Sequence, residues 1–152
     1  MIIKGLERSL DLGYLNKITW ILSNAESLPF KDSIFDAYTT AFCFRNLTDI
    51  QKGLNEANRV LKRGGKFYCL EFSKVDNKLL NYLYQLWSFK VIPKIGEIIA
   101  KNKEAYEYLV ESIAKFHPAC EYKSLIEEAG FKNVSYKKLS NGIACIHVGE
   151  KL

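Results

Sequence analysis

The sequence predicts an α/β fold, on three observations. β-branched and aromatic residues are concentrated in two early runs, KITWIL (17–22) and FDAYTTAF (35–42), which are typical of strands. An amphipathic helical pattern then leads to GKFYCLEFSK (65–74), a third apolar run. Because the connection from the second run to the third exceeds about a dozen residues, it predicts a right-handed crossover and a parallel pair of strands.

The elements before residue 75 follow in order. MIIKGLERSL predicts a short helix that ends before Gly13, and the polar loop SNAESLPFKDS follows KITWIL. Asp49 is a suitable cap for the helix IQKGLNEANRVL, which KRGG ends. The strand GKFYCLEFSK is apolar along residues 67–70, which suits a strand covered on both faces.

The pattern from residue 77 to 128 is helical throughout and predicts an insertion above the sheet. Its segments are LLNYLYQLWSFKVI, a break at Pro93 and Gly96, KEAYEYLVESIAKF and ACEYKSLIEEAG. The aromatic residues of this region belong to the core, line an apolar cavity or face a bilayer; they are Tyr82, Tyr84, Trp87, Phe89, Tyr106 and Tyr108. FKNVSYKKL and GIACIHVGEKL then predict a hairpin at the sheet edge.

Composition and charge limit the classes of partner and the cellular location that the sequence predicts. The 152 residues suit one globular domain, with 48% hydrophobic and 26% charged residues. The formal net charge of +5 comes from basic residues interleaved with acidic ones, so we expect no nucleic-acid partner. No run reaches the ~18 to 20 apolar residues of a membrane span, and the N-terminus lacks a signal-peptide core. The chain is predicted to be intracellular, and soluble or peripheral at an anionic membrane.

The cysteines and histidines show no metal-binding or catalytic spacing. The four cysteines, at positions 43, 69, 120 and 145, include no CxxC pair and accompany no cluster of His. Zinc ligands occur in tight pairs, so no metal site is expected and the cysteines are predicted to be buried free thiols. His117 and His147 are interpreted as structural because no Ser/His/Asp or Cys/His arrangement is evident.

Polar side chains stand where the predicted parallel strands end. Arg45 and Asn46 follow one strand, and Glu71 ends the next. The carboxyl ends of parallel strands meet at the edge where open α/β sheets bind ligands. Arg45 therefore faces a ligand or forms an ion pair with Glu71, and both interpretations remain open.

The loop after KITWIL reaches the same edge. Asn24 and Ala25 could contact the edge of a planar ring, and Glu26 could accept from an exocyclic amine. Alternatively the loop is an ordinary connection in which Pro29 and Phe30 plug the core. The glycines of RVLKRGGKF precede a strand, so they do not form a phosphate loop.

A set of strings carries a family resemblance from about Asn24 to Leu152. They are NAESLPF, FDAYTTAFCFRNLTDIQKGL, RVLKRGGKFYCLEFSK, WSFKVIPKIG, YEYLVESI, EEAGF and GIACIHVG. By this set the chain resembles the ubiquinone/menaquinone biosynthesis C-methyltransferases, a branch of the class I S-adenosylmethionine-dependent methyltransferases. The resemblance implies a Rossmann-like sheet and methylation of a ring carbon of a polyprenylated benzoquinol or naphthoquinol.

The resemblance also implies roles for five residues. Asn24 and Ala25 match the loop that contacts the adenine of S-adenosylmethionine, and Ala41 matches the position that closes over this cofactor. Arg45 and Asn46 match the catalytic pair beside the ring. Because arginine stays protonated, Arg45 is expected to stabilise an oxyanion or orient water rather than take a proton.

The sequence departs from the family pattern in three places. Cys43 stands where Gly is usual and is expected to narrow the pocket, whereas Arg63 in place of Pro is expected to be harmless. The first two strands, a GxGTG-like loop and an acidic residue for the ribose are absent, so residues 1–152 are interpreted as one partial methyltransferase domain, with 77–128 over the substrate side. We expect a gap or unsatisfied edges in the sheet, weak or no cofactor binding, and a mis-called start, a split gene or a decayed copy.

The alternatives to a quinone-pathway C-methyltransferase are a noncatalytic quinol-binding or scaffold module and a methyltransferase for another small molecule. YEYLVESI and GIACIHVG argue against the last. The expected partners are the quinol, a membrane surface, and a homodimer or quinone-biosynthesis complex. The expected location is the cytoplasm beside the inner membrane, or the mitochondrial matrix side.

Overall fold

The structure is a computed structural model that describes residues 2–75 and 103–152. The described helices and strands are α1 (Ile2–Asp11), β1 (Phe35–Ala41), α2 (Ile50–Val60), β2 (Leu61–Phe72), α3 (Lys103–Lys115), α4 (Ala119–Glu128), β3 (Lys132–Leu139) and β4 (Ala144–Glu150). The predicted helix LLNYLYQLWSFKVI lies outside the described residues, and the other predicted helices are confirmed.

The described strands form one sheet in the order β1-β2-β4-β3. β1 and β2 are parallel, with Tyr38 opposite Phe67, and α2 is their crossover helix. β4 runs antiparallel to β2 and to β3. The predicted parallel pair and the C-terminal antiparallel hairpin are therefore confirmed.

Helix α2 begins where Asp49 predicts it. The Asp49 carboxylate accepts a hydrogen bond from the backbone N–H of Lys52 at 3.0 Å, which satisfies a free donor of the first turn. Leu54, Ala57 and Val60 are fully buried along one face of the helix. This face sets the helix against the sheet and places its N-terminus at the carboxyl end of β1.

Strand β2 begins earlier than the sequence predicts. α2 ends at Val60 and β2 starts at Leu61, so KRGG belongs to the strand rather than to a separate turn. The pairing with β1 shifts in register across this stretch, and Gly64 takes a φ of 77°. A bulge that uses the left-handed freedom of glycine accommodates the extra residues.

One face of the sheet forms the core. Phe67 and Cys69 of β2 are fully buried there together with Tyr122 of α4. On the opposite face the neighbouring Tyr68 is 37% exposed. The expectation that β2 is covered on both faces is therefore wrong for this chain, because burial alternates along the strand with the two-residue period of its side chains.

The predicted strand KITWIL does not form. Ile18 has extended backbone angles, but residues 18–22 join no described strand, and Leu22 is 87% exposed. Instead the ring of Trp20 lies against Gly5 of α1. Strand propensity reflects fit to a pleated, half-buried surface, and this segment has no such surface among the described residues.

None of the four cysteines is in a disulfide, and only two of them are buried. Cys69 and Cys145 are in the core, whereas Cys43 and Cys120 are exposed, which corrects the prediction of four buried thiols. Burial raises the pKa of Cys69 to about 12, so its thiol stays protonated. Within residues 2–75 and 103–152 there is no group of three or more potential metal ligands.

Candidate functional site

A single turn of 3₁₀ helix, Phe44–Asn46, follows β1 and carries the predicted catalytic pair. Phe44 is 1% exposed, and its ring packs edge-on against Phe67 and Tyr122. Phe42, directly before the turn, has a φ of 56°, an uncommon value for a bulky residue. The buried Phe44 anchor and this backbone reversal carry Arg45 and Asn46 to the carboxyl edge of the sheet.

Arg45 is held on several sides. Its Nη1 donates to the carbonyl of Phe42 and to Oε2 of Glu71 at 3.4 Å, and its Nε donates to Ser112 Oγ at 3.3 Å. The guanidinium carbon lies 5.4 Å from the centre of the Phe72 ring. The Arg45 side chain is 9% exposed and that of Glu71 1%, so the predicted ion pair forms and is nearly buried.

Glu71 supports the turn from beneath. Its carboxylate accepts from the backbone N–H groups of Arg45 and Phe72 as well as from the guanidinium. Burial raises the pKa of Glu71, and the Arg45 charge and these hydrogen bonds oppose that rise. The ion pair fixes the Arg45 head while leaving its Nη2 without a partner among the described residues.

Asn46 shares an anchor with Arg45. Its Nδ2 donates to the carbonyl of Phe42 at 3.2 Å, and its Oδ1 accepts from the hydroxyl of Tyr108 at 3.0 Å. Tyr108 and Ser112 belong to α3, so this helix contacts both members of the pair. The structure thus brings Arg45 and Asn46 together and adds α3 as a second wall.

A cavity of about 280 Å³ lies between the turn and α3. It is lined by Arg45, Asn46, Leu47, Thr48, Ile50, Tyr108, Glu111, Ser112, Lys115 and Phe116. The cavity is slightly smaller than the roughly 300 Å³ at which drug-sized pockets begin, and so suits a single substituted ring. Arg45 and Asn46 therefore lie on the wall of a cavity that is partly open to solvent, where Asn46 is exposed.

Sequence reasoning missed most of the α3 wall. Glu111, Ser112 and Lys115 line the cavity but were not predicted, whereas Tyr108 was among the aromatics considered for a cavity. Their signal was available in the spacing, because residues 108, 111, 112 and 115 share one helical face. Cys43, expected to narrow the pocket, is exposed and is not one of the lining residues.

The predicted cofactor residues lie near the same edge, but they are occupied differently from expectation. Asn24 Oδ1 accepts from the backbone N–H of Glu26 at 2.9 Å within a turn. Glu26 Oε1 accepts from the backbone N–H groups of Thr48 and Asp49 at 2.7 and 3.2 Å. Glu26 therefore ties the loop to the start of α2, and its Oε1 is already used by backbone donors.

The rest of this loop is fixed by Arg59 of α2. The guanidinium donates to the carbonyls of Leu28 and Phe30 and to Asp32, at 3.1, 2.7 and 2.6 Å. The Phe30 ring packs edge-on against Phe35 at 5.0 Å. The loop is a connection that Arg59 holds in place, and Phe30 is half-buried against Phe35, but Pro29 is exposed, so the prediction that both residues plug the core is wrong for Pro29. Arg59 is a structural residue that the sequence reasoning did not single out.

The described residues fit S-adenosylmethionine only in part. Asn24 and Ala41 are exposed and Ala25 is half-buried, so backbone and side-chain groups of the loop can meet the edge of a planar ring. Class I sites also require an acidic residue for the ribose hydroxyls, and none of the residues assigned to the cofactor is acidic. The described residues thus form a more complete arrangement around Arg45 and Asn46 than around Asn24, Ala25 and Ala41.

Both histidines have structural surroundings. His147 is 1% exposed, meets the Tyr122 ring edge-on and the Tyr136 ring at a tilt, and donates from Nε2 to the Ala119 carbonyl at 2.9 Å. Burial lowers its pKa, which favours the neutral ring. His117 lies 3.5 Å from Glu121 near the start of α4, outside the cavity.

Comparison with known proteins identifies the relatives of the chain. The sequence profile of the ubiE/COQ5 methyltransferase family matches residues 1–151. The Xenopus laevis and Homo sapiens proteins named 2-methoxy-6-polyprenyl-1,4-benzoquinol methylase, mitochondrial, are each 51% identical over the whole chain, which covers 49% and 46% of them. The Rickettsia prowazekii ubiquinone/menaquinone biosynthesis C-methyltransferase UbiE is 53% identical, with 61% covered. The chain thus spans about half the length of these animal relatives.

Solved structures with a similar fold include methyltransferases. A SAM-dependent methyltransferase from Thermotoga maritima aligns with 93% of the chain and 68% of its own at a TM-score of 0.64 and 22% identity. PigF with SAH aligns with 96% of the chain and 43% of its own at a TM-score of 0.65 and 18% identity. At these identities the likeness shows the fold, which is that of the class I methyltransferases.

Proposed function

Because the chain belongs to the ubiE/COQ5 methyltransferase family, we propose that it supplies the substrate side of a C-methylation site for a polyprenylated benzoquinol or naphthoquinol. The methyl donor of this family is S-adenosylmethionine. The observation that carries the proposal is the placement of Arg45 and Asn46 on the wall of the cavity, where α3 closes over them.

Arg45 is suited to stabilise the reacting ring. A ring carbon becomes nucleophilic when a neighbouring hydroxyl is deprotonated, and a cation beside that oxygen favours the anion. Arginine stays protonated at all physiological pH values, so it can stabilise the oxyanion or orient water but cannot take the proton. Glu71 and Ser112 hold the guanidinium in place, which spares the cost of ordering it when a ligand binds.

Asn46 and the α3 wall orient the ring. The amide of Asn46 lies beside the guanidinium, and Leu47, Ile50 and Phe116 supply apolar contact on the same cavity. S-adenosylmethionine, when bound, supplies an electrophilic methyl group to the ring carbon. Proximity of a correctly oriented ring contributes much of the rate in such transfers.

The test is methyl transfer to a demethylated quinol. The N-terminal part of the Rickettsia prowazekii relative that precedes the matched region is fused to this chain, and transfer of a labelled methyl group is measured. We expect transfer by the fusion and a loss of about a hundredfold or more in Arg45→Ala, because a positioned charge at the oxyanion is removed. Full activity of Arg45→Ala would overturn the assignment.

The chain alone is expected to bind S-adenosylmethionine weakly or not at all, because the residues matched to the cofactor fit it only in part. Calorimetric titration of the 152-residue chain measures this. Micromolar affinity would contradict the expectation and would place the missing contacts in residues not yet assigned to the cofactor.

A noncatalytic quinol-binding or scaffold module is the second candidate. It is favoured by the same contrast between a developed substrate cavity and exposed cofactor residues. Methyl transfer by the fusion supports the catalytic assignment. Quinol binding by the chain without any transfer by the fusion supports the module.

We further propose peripheral contact with a membrane, where a polyprenyl tail resides. None of the described helices is long and apolar enough to cross a membrane. Ile3 and Leu10 of α1 are 73% and 64% exposed and could lie on a lipid surface. Co-sedimentation with anionic vesicles tests this contact.

We also propose a homodimer or a larger quinone-biosynthesis complex as the state of the protein, which sedimentation velocity tests. The mitochondrial relatives suggest the matrix side as its location in eukaryotes.

A further inference from the structure

The amide of Asn46 has one orientation that satisfies both of its neighbours. The carbonyl oxygen of Phe42, 3.2 Å away, can only accept a hydrogen bond, so the amide nitrogen must face it. Oδ1 then faces the hydroxyl of Tyr108 at 3.0 Å, and Tyr108 must be the donor. Two independent contacts therefore fix which end of the amide points where.

We propose that Tyr108 is a positioning residue that sets Asn46 as a hydrogen-bond donor beside Arg45, so that the pair selects the deprotonated oxygen of its ligand. The inference rests on the proposed function and deepens it by naming the protonation state of the species bound. Tyr108 acts through Asn46 rather than on the reacting atoms.

The hydrogens of the pair support this selection. Asn46 Nδ2 carries two, and the Phe42 carbonyl takes one, which leaves the other for the cavity. Arg45 uses Nε and Nη1 within the protein, while Nη2 has no partner in residues 2–75 and 103–152. A guanidinium contains no acceptor, so both free positions offer only N–H groups, which an anionic oxygen accepts more strongly than a neutral hydroxyl.

The charged groups around the cavity do not oppose the preference of the pair for an anionic oxygen. Glu71 of β2 is the nearest negative group, and it is already paired with Arg45. On α3, Glu111 is paired with Lys115 at 3.3 Å, which balances its charge. Glu111 is the one carboxylate among the described residues that line the cavity, so the lining holds no uncompensated negative charge.

The Tyr108 side chain contributes little to core packing, so its hydroxyl can serve to position Asn46. The side chain is 57% exposed, so its hydroxyl is not needed to fill the core. Without that hydroxyl, Oδ1 of the exposed Asn46 loses its partner and the amide keeps only the Phe42 anchor. The amide can then rotate, and its free N–H no longer points to a fixed place.

The experiment uses a nitrophenol, whose phenolate absorbs visible light, as a probe of the full chain. Spectral titration across pH gives the affinities of the phenol and phenolate forms separately. We expect the wild-type chain to bind the phenolate more tightly, and Tyr108→Phe to weaken phenolate binding by a few-fold to about tenfold while changing phenol binding little. Tyr106→Phe, on the same helix but not on the cavity wall, is the matched control and should match the wild type.

A second measurement reports on the amide directly. The side-chain N–H signals of Asn46 in a ¹⁵N spectrum should shift or broaden in Tyr108→Phe, while backbone signals of the core stay in place. Phenolate selectivity in Tyr108→Phe equal to the wild type would overturn the inference, as would a wild-type chain that does not favour the phenolate.

An outcome that rejects the role of Tyr108 can be distinguished from one that rejects the proposed function. If Arg45→Ala retains the wild-type affinity for both forms of the probe, the cavity is not the ligand site and the proposed function falls with the inference. If Arg45→Ala loses affinity but Tyr108→Phe does not change selectivity, the site stands and only the role of Tyr108 is rejected.

Discussion

Two regions of the chain differ in how completely they are packed. In the first, α2 and α4 bury an aromatic core that includes Phe44 and Tyr122, and this core supports the turn that carries Arg45. In the second, segment 18–22 joins no described strand and apolar residues of α1 are exposed, of which Ile3 is 73% exposed. The contrast shows that the turn that carries Arg45 is stabilised locally, by contacts within the described residues.

The largest expected effect is the difference between the same Leu→Ala substitution in the buried core and in segment 18–22. Leu54 is fully buried in the core, and Leu22 is 87% exposed. We expect Leu54→Ala to lower the free energy of unfolding by about 4 kcal/mol through a lost contact and a cavity. Leu22→Ala should change it by less than about 0.5 kcal/mol. Urea denaturation measures both, and equal losses would show that segment 18–22 is packed in solution.

The next effect concerns the buried ion pair. Arg45→Met removes the charge that compensates Glu71 and should cost about 3 kcal/mol at neutral pH. The folded-state pKa of Glu71 is raised by burial, so its contribution to stability is full below its usual value of 4.5 and is lost as pH rises through the folded value. The deficit of the variant should therefore be smaller at pH 4 than at pH 8 in urea titrations. A deficit that does not depend on pH would contradict this account of Glu71.

A smaller effect is expected at the start of α2. Asp49→Ala removes the acceptor for the Lys52 N–H and should cost about 1 kcal/mol. Asp49→Asn, which keeps a side-chain oxygen, should lose much less and serves as the control. Thermal unfolding followed by circular dichroism compares the two, and similar losses would locate the effect in charge rather than in capping.

The smallest effect is an acid dependence from His147. Burial lowers its folded-state pKa, so its contribution is present above the usual value of 6.5 and is lost as pH falls through the lower folded value. His147→Gln cannot titrate and retains an N–H for the Ala119 carbonyl. We expect its stability to fall less than that of the wild type between pH 7 and pH 5, and identical pH profiles would exclude His147 as the source.

Much of the fold could be predicted from local patterns. Asp49 predicted the start of α2, and GKFYCLEFSK, from its apolar run, and GIACIHVGEKL were predicted to be strands, which the structure confirms. The failures came from tertiary context. KITWIL has strand propensity, but no described strand lies beside it. The sequence KRGG predicts a turn, whereas in the structure it belongs to β2 and forms a bulge in the pairing with β1.

The residues of the candidate site could be predicted from the sequence only where they stand at the end of a predicted strand. Arg45, Asn46 and Glu71 follow strand ends, and the structure brings them together as the topology requires. Tyr108 and Ser112 reach the same site from about sixty positions further along the chain, and sequence spacing alone does not reveal how α3 docks. The predicted roles of Asn24, Ala25 and Ala41 toward the cofactor remain predictions.

The most direct test of the substrate-side assignment is a ¹⁵N titration of the chain with a soluble demethylated benzoquinol under reducing conditions. Asn46 carries a side-chain amide on the cavity wall, and Trp20, which is not one of the lining residues, carries an indole N–H in the less packed region beside α1. The account predicts that the Asn46 signals shift saturably while the Trp20 signal stays in place. A saturable shift at Trp20 with no change at Asn46 would contradict it and would move the quinol site to the region of Trp20.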